Sequence, residues 1–170
     1  MKQQKKDIFA GLVCFLLLCA IFTLAHAFAC FATEAQADFS LETKTALDFS
    51  ALFKFRLPIV ADYGSEDCPA CRKMFSALKH TNEKYKGRAF VKYADVWKHR
   101  NTAGELPLVV IPTQFFFTSA GKPFIPSKKL SARLKFSLYC DKAGKHALTA
   151  HQGGLSEADF DEILKELGVK

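Results

Sequence analysis

The stretch SEDCPACRKM, residues 65–74, contains two cysteines separated by two residues. Before it lies IVADYG (59–64), a short apolar run that begins with β-branched residues and is typical of a buried strand. After it, residues 69–86 start with a proline, contain no later proline or glycine, and place apolar side chains at helical spacing. Cys68 and Cys71 are therefore predicted to lie where a strand ends and a helix begins.

The remaining elements are predicted from the same patterns of apolar spacing and turn residues. A strand, a helix and a parallel strand, followed by antiparallel strands and a closing helix, make a mixed sheet with helices on both faces. The predicted fold class is therefore α/β. The other predicted elements are a helix over 44–55, a strand over 88–95, a short helix around Trp97 within the polar stretch 97–106, strands over 113–119, 134–141 and 145–152, and a helix over 157–167 capped by Ser156.

Thiol chemistry requires a thiolate, and a helix N-terminus stabilises one through its free N–H groups and its partial positive charge. Cys68 is predicted to lie in the first turn, where this stabilisation acts. Cys71, three residues later, can close a disulfide with it but is predicted to be more buried and less favoured as a thiolate. These positions favour Cys68 as the attacking sulfur and Cys71 as the resolving sulfur, with Pro69 stiffening the turn between them.

Two other uses of the pair compete with redox chemistry. A tetrahedral zinc site needs four ligands, usually from two such pairs. Cys140, His146 and His151 are spaced so that they could add ligands, but they belong to a predicted hairpin where surface positions are expected. A structural disulfide across two residues closes so small a loop that it stabilises little. The spacing therefore favours a redox pair, and neither a metal nor a cofactor is predicted.

Two further residues fit a redox site. Asp62 lies six residues before Cys68 on the apolar strand, where an unpaired carboxyl is costly. A carboxyl at this position is suited to accept the proton of Cys71. In LVVIPT (108–113), Pro112 stands between an apolar run and a strand, a position where a cis peptide bond is plausible.

The strand–CxxC–helix unit, the Ile-Pro-Thr sequence and the hairpin with a glycine turn together resemble the thioredoxin family. The resemblance covers roughly residues 40–168, apart from an insertion at about 122–144. It implies a thioredoxin-like fold, with a central mixed β-sheet flanked by helices and an inserted β segment before the final hairpin strand. By the resemblance, Cys68 is the nucleophile, Cys71 the resolving thiol, and Pro112 the cis-proline that holds a substrate strand beside the sulfurs.

The resemblance also implies roles for residues around the pair. Ile111, before the cis-proline, presents its backbone to an extended substrate chain. Asp62 falls at the family's buried acid, and Lys92 at the strand lysine that often pairs with it. Gly153 or Gly154 falls near the glycine that lets the substrate backbone approach. All of these residues are therefore expected near the cysteine pair.

The chain departs from the family pattern at several positions. Asp67 replaces the tryptophan that usually precedes the first cysteine, and Pro-Ala replaces Gly-Pro between the cysteines. Asp67 could cap the helix, or its negative charge could oppose thiolate formation at Cys68 and make the pair more reducing. Ser76 stands where the family has a helix proline. The insertion, which contains Cys140, resembles an elaboration of some exported bacterial thioredoxin-like proteins that work with membrane electron carriers.

The N-terminus differs in composition from the rest of the chain. Residues 1–7 carry three lysines, and residues 8–32 contain no charged side chain over 25 positions, whereas about 20 apolar residues suffice to span a bilayer. Residues 1–37 are expected to act as a membrane anchor or as a cleaved signal peptide, with Cys30 as a weaker candidate for lipid attachment. Each interpretation leaves residues 38–170 as a thioredoxin-like domain outside the cytoplasm, in the periplasm or on the outer face of the cell membrane.

The formal net charge of +7 is concentrated in one segment. Residues 122–145 contain seven basic residues against one acid. Such local basicity in an exported chain argues against nucleic-acid binding. The favoured interpretation is a solvated surface loop with a buried Cys140, and the alternative is a patch that meets anionic lipid headgroups or an acidic partner.

The sequence thus predicts a monomeric thiol–disulfide oxidoreductase of bacterial type that uses its Cys-Pro-Ala-Cys pair to reduce protein disulfides outside the cytoplasm. Its expected partners are substrate proteins with disulfides and a membrane protein that supplies electrons, with cytochrome c maturation as one natural role. A disulfide-forming oxidase with the same pair is an alternative. A non-enzymatic metal (copper) chaperone that uses Cys68, Cys71 and a histidine is another.

Overall fold

The computed structural model describes residues 36–170. The predicted membrane anchor or signal peptide lies outside this range, apart from its last two positions. Within the described part, no helix is both long and apolar enough to cross a membrane. Its elements in chain order are β1 (Glu42–Thr43), α1 (Phe49–Phe53), β2 (Ile59–Gly64), α2 (Pro69–Tyr85), β3 (Phe90–Asp95), β4 (Thr113–Phe117), α3 (Lys128–Arg133), β5 (Phe136–Cys140), β6 (His146–Gln152) and α4 (Glu157–Glu166).

The strands of the described residues form one six-stranded sheet in the order β1-β3-β2-β4-β6-β5. β2 and β3 are parallel and are connected through α2, whereas β4 runs antiparallel to β2, and β6 antiparallel to β4. β5 and β6 form an antiparallel hairpin. The predicted mixed sheet is therefore confirmed. β2 lies near its centre, where an apolar strand can be covered on both sides.

Alternate residues of β2 point to opposite faces of the sheet, and each face carries its own apolar core. On one face, Val60 belongs to a buried cluster with Leu78 of α2 and Phe160 of α4. On the other face, Ile59 belongs to a second cluster, which is covered by Phe49 of α1 and by loop residues. Helices therefore lie on both faces, but the second face is closed mainly by loops.

Two predicted helices differ from the structure. The helix predicted over 44–55 is confined to Phe49–Phe53, and it begins where the side chain of Asp48 accepts a backbone N–H three residues later at 3.0 Å. The helix predicted around Trp97 is wrong, because residues 96–106 form successive turns and bends.

The segment predicted as an inserted β segment, about 122–144, contains strand β5 and also the short helix α3, which was not predicted. Ser127 caps α3 by accepting the Leu130 N–H at 3.1 Å, and Leu130 is fully buried. Arg133 at the end of α3 forms ion pairs with two acids of α4. The segment is therefore anchored to α4, and part of its basic charge is compensated within the fold.

Cys140 is exposed, so the expectation that it is buried is wrong. It ends β5, which is an edge strand of the sheet. An edge strand has a neighbour on one side only, and the residues of β5 are exposed or half-buried for that reason.

The expected pairing of Lys92 with Asp62 is also wrong. In the register of the parallel strands Asp62 lies beside Tyr93, while Lys92 lies beside Ala61 and therefore on the opposite face. Lys92 is buried, and its Nζ donates to Asp38 Oδ2 at 3.0 Å and to the backbone oxygen of Ser40 at 2.7 Å. The lysine thus fastens the segment before β1 to the sheet.

Asp38→Asn should destabilise the domain by about 1 kcal/mol, because a buried ammonium loses a carboxylate partner that is itself largely exposed. Hydrogen bonds from the backbone N–H and hydroxyl of Ser40 and from Lys92 lower the pKa of Asp38 from 3.8 to about 2. The stabilisation is therefore complete above pH 3.8 and is lost as the pH falls through about 2.

Urea unfolding of the wild type and the Asp38→Asn variant at several pH values measures this difference in stability. Glu42→Gln, which changes an exposed acid on the same segment, is the control. A difference that stays constant as the pH falls toward 2 would contradict the assignment.

Candidate active site

The sulfur of Cys68 occupies the N-cap position of α2. Its Sγ accepts the backbone N–H of Cys71 at 3.4 Å, and the residue is only 7% exposed. Asp67, which was expected as a possible cap, is exposed, and its backbone N–H donates to Ser65 Oγ at 3.2 Å. The helix N-terminus is therefore directed at a sulfur instead of a carboxylate.

The two thiols differ in acidity because their surroundings differ. Burial opposes ionisation of Cys68, but hydrogen bonds from the Cys71 thiol and from backbone N–H groups, with the charge of Arg72, lower its pKa overall. For Cys71, burial and the hydrogen bond to Cys68 raise the pKa to about 12, and the nearby charge of Asp62 adds to this effect. These opposite shifts favour ionisation of Cys68 before Cys71.

A carboxylate at the end of β3 fixes the turn that precedes the pair. Asp95 Oδ2 accepts the Glu66 N–H at 2.8 Å and the Ser65 hydroxyl at 3.3 Å. Its Oδ1 accepts the N–H groups of Trp97 and Lys98 at 3.0 and 2.8 Å, which fixes the turn that follows β3. Sequence reasoning missed this role, although an acid at the end of a buried strand was a usable signal.

Close packing around Gly64 brings the end of β2 against the Cys71 sulfur. A Cβ atom at Gly64 would lie 3.2 Å from Cys71 Sγ and 3.1 Å from the ring of Tyr93. A cavity of about 330 Å³ adjoins the same sulfur and is lined in part by Tyr93 and Phe75. A side chain at this position would require Tyr93 or Cys71 to shift by a few tenths of an ångström, so the glycine favours this close packing.

Asp62 lies beneath the pair and is 1% exposed. Gln114 of β4, which pairs with Asp62 in the sheet, donates its Nε2 to Asp62 Oδ1 at 2.8 Å. Asp62 Oδ2 has no hydrogen-bond partner in the described residues. Burial raises the pKa of Asp62 to about 7, against the effect of the Gln114 hydrogen bond. The sequence analysis did not identify Gln114 as part of the site. Its only signal was a polar residue within the otherwise apolar run TQFFF.

The Ile111–Pro112 peptide bond is cis. It lies next to Cys68, since the Cys68 thiol points at the backbone oxygen of Ile111 across 3.9 Å. The Gly153 N–H donates to the Pro112 carbonyl at 2.9 Å, so the glycine also lies at this site. Val110, immediately before Ile111, is 49% exposed. A backbone carbonyl, next to an exposed apolar side chain, therefore lies beside Cys68.

The residues considered as extra metal ligands do not assemble. Cys140 pairs with His146 across the hairpin, but His151 lies at the other end of β6, beside Phe136. His151 Nδ1 is instead 3.0 Å from the Lys135 carbonyl oxygen. Residues 36–170 contain no group of three or more histidine, cysteine or acidic side chains that could hold a metal ion.

Known proteins resemble this chain in structure and not in sequence. No protein-family model and no curated protein matches the chain. Among solved structures, chloroplastic thioredoxin z is 15% identical with a TM-score of 0.51, covering 79% of this chain and 98% of that one. A Fasciola hepatica thioredoxin is 17% identical with a TM-score of 0.48, covering 74% of this chain and 97% of that one.

These observations define the class of domain, an α/β domain with a cysteine pair at the start of a helix. The similarity to thioredoxin z shows that this chain has the thioredoxin fold. The resemblance to the thioredoxin family that the sequence indicated is therefore confirmed at the level of the fold.

Asp62→Asn should stabilise the reduced domain at about pH 8 and leave it nearly unchanged at about pH 4. The native state keeps Asp62 protonated up to about pH 7, whereas the unfolded chain loses this proton near 3.8, so wild-type stability falls between these values. The asparagine carries no such proton and can donate to Gln114 Oε1, which has no partner in the described residues. The rise in the pKa of Asp62 from 3.8 to about 7 corresponds to a gain in the free energy of unfolding of at most roughly 4 kcal/mol at the higher pH.

Urea unfolding under reducing conditions at the two pH values tests this expectation. Asp67→Asn, at an exposed acid near the same site, is the control. A gain that is equal at both pH values, or a loss at the higher one, would show that burial of the Asp62 charge is not the cause.

Iodoacetamide should label Cys68 first in the reduced protein at neutral pH, with a midpoint below the value of about 8.5 for a free cysteine. The reason is that N–H groups of the first helical turn stabilise its thiolate. Mass spectrometry should show that Cys68→Ser removes the fast phase and that Cys71→Ser retains it. The labelling rate of exposed Cys140 is the internal comparison. Earlier labelling of Cys71 or Cys140 would contradict the assignment of Cys68 as the most reactive thiol.

Proposed function

We propose that this protein is a thiol–disulfide oxidoreductase that acts through Cys68 and Cys71. The observation that carries the proposal is the Cys68 sulfur at the N-cap of α2, with a lowered pKa and with the Ile111 backbone beside it. A metal chaperone would need further ligands near the pair, and the described residues do not supply a cluster of them.

In the first step, the Cys68 thiolate attacks one sulfur of a substrate disulfide. The substrate disulfide breaks, one substrate sulfur leaves as a thiolate, and a mixed disulfide forms with Cys68. Exposed Val110 and the Ile111 backbone beside Cys68 position an extended substrate segment along the edge of the site.

In the second step, Cys71 attacks the Cys68 sulfur and releases the second substrate thiol. Because its pKa is raised to about 12, the Cys71 thiol must give up its proton as it attacks. Asp62 is the proton acceptor, since it lies close enough for its charge to affect Cys71 and its own pKa of about 7 suits a base at neutral pH. The substrate disulfide gains two electrons from the thiols of Cys68 and Cys71, and these two cysteines end the cycle joined as a disulfide.

The oxidised pair must then be reduced again. We propose that the domain works outside the cytoplasm, attached by its apolar N-terminal segment, and that a membrane protein returns the electrons. Asp67, whose negative charge adjoins Cys68 in sequence, favours a reducing pair. Reduction of substrate disulfides, for example during cytochrome c maturation, is the role that fits this arrangement.

One observation favours the opposite direction. The lowered pKa of Cys68 stabilises the dithiol form and so tends to make the pair oxidising. Equilibration of the pair with glutathione buffers decides between the two. A potential near about −270 mV, as in thioredoxin, supports a reductant, whereas one near about −120 mV, as in a strong oxidant, supports a disulfide-forming enzyme.

The chemistry itself is tested with a disulfide-containing protein substrate. Cys71→Ser should accumulate a mixed disulfide between the substrate and Cys68, because the resolving step is blocked. Asp62→Asn should slow release of the mixed disulfide, by about 10²-fold or more, while its formation changes little. Cys140→Ser is the control and should react like the wild type. Absence of a trapped complex at Cys68, or equal slowing of both steps in Asp62→Asn, would refute the scheme.

A further inference from the structure

The end of the sheet opposite Cys68 is a basic surface. At this end β2 and β3 begin and β4 terminates, because Ile59 pairs with both Phe90 and Phe117. The loops that meet there come from four separate parts of the chain, and the turn after β4 packs on α1 through contact of Gly121 with Phe53. Their exposed cations, here called the basic end, are Lys54, Arg56, Lys86, Lys122, Lys142 and Lys145.

These cations are not neutralised by neighbouring acids. No acidic side chain of the described residues lies within 4.0 Å of any of them as an ion pair. Nearby Asp141 accepts backbone N–H groups within its own turn, and Glu166 accepts from Ser127. By contrast, Arg133 of the basic segment is paired with α4. The fold thus brings cations from separate parts of the chain to one end of the sheet. The sequence had indicated only those of the basic segment 122–145.

The chain also enters the domain at the basic end. Phe39 stacks on Phe90, the first residue of β3, with ring centroids 4.8 Å apart. Further along, Glu42 pairs with Tyr93, so the chain runs from the basic end toward the Cys68 end. Six residues separate the apolar run 8–32 from Phe39, and such a segment spans at most about 20 Å.

We propose that the basic end lies against a membrane surface of anionic lipid headgroups. Each exposed cation near such a surface adds to the attraction, and the short connection to the apolar run keeps this end within reach of it. Ile125, 75% exposed beside Lys122 and Lys145, adds an apolar side chain suited to the headgroup boundary.

This orientation directs the cysteine pair away from the bilayer. Six residues of β2 separate the basic end from the start of the Cys68 turn, a distance of about 20 Å. Substrates and the electron donor would therefore reach Cys68 from the side facing away from the lipid. The proposal concerns placement only and can fail while the redox chemistry holds.

The test uses the full chain in lipid nanodiscs of neutral phosphatidylcholine or of phosphatidylcholine mixed with phosphatidylglycerol. Cys140, exposed beside Lys142 at the basic end, is the reporter, and its labelling rate with a bulky neutral maleimide is measured while Cys68 and Cys71 are held as a disulfide. The background carries Cys14→Ser, Cys19→Ser and Cys30→Ser. Labelling should be several-fold slower in the anionic discs.

The slowing should disappear at about 1 M salt, where the Debye length falls to about 3 Å. It should also be lost when three cations of the basic end are removed, and it should persist when three exposed lysines elsewhere are removed. The first variant is Lys122→Gln, Lys142→Gln and Lys145→Gln, and the matched control is Lys44→Gln, Lys79→Gln and Lys135→Gln. Unchanged iodoacetamide labelling of Cys68 verifies that both variants fold.

A second reporter distinguishes placement from a general effect of charged discs. Glu105→Cys in a Cys140→Ser background lies in the loop that joins the Cys68 ends of β3 and β4, and its labelling should not depend on the lipid. Equal labelling of Cys140 in both discs, slowing at both reporters, or the same slowing in both triple variants would overturn the proposal. So would slowing of Cys140 by an acidic polypeptide but not by anionic discs, which would identify a protein docking surface.

Discussion

The contact between the Cys68 sulfur and the Cys71 N–H sets the chemistry of the site. A helix begins with N–H groups that lack partners inside the helix, and most helices satisfy them with an oxygen. Here a sulfur accepts instead, at 3.4 Å, and the same residue ends the turn that leads from β2. The Cys68 sulfur is therefore held in one position by the N–H group that also stabilises its anion. Cys71, three residues later in the helix, is buried.

A buried carboxyl accompanies this arrangement. Asp62 makes one hydrogen bond, to Gln114, and its second oxygen has no partner in the described residues. Such a group weakens the fold when it is charged, because burial disfavours the ion. The proposed role of Asp62 as the proton acceptor for Cys71 explains why so costly a group stands at this position.

Local patterns predicted the central elements well. The apolar run of β2 and the helical spacing of α2 are properties of short stretches, so their positions and that of the cysteine pair followed directly. The predictions that failed concerned residues whose contacts lie far away in the sequence. Lys92 was assigned to Asp62, but which face a residue occupies is set by the register between two strands. Asp95 was overlooked because its role arises only when β3 lies beside the turn that carries the pair.

The same carboxylate has a consequence for motion. Asp95 joins the turn before Cys68 to the loop after β3, because its two oxygens bind N–H groups from both. Two loops that share one anchor cannot open separately without leaving a buried charge short of donors. We therefore expect them to open together in local unfolding. Motion of the loop around Trp97, distant from the sulfurs in sequence, is then coupled to motion of the turn that carries Cys68.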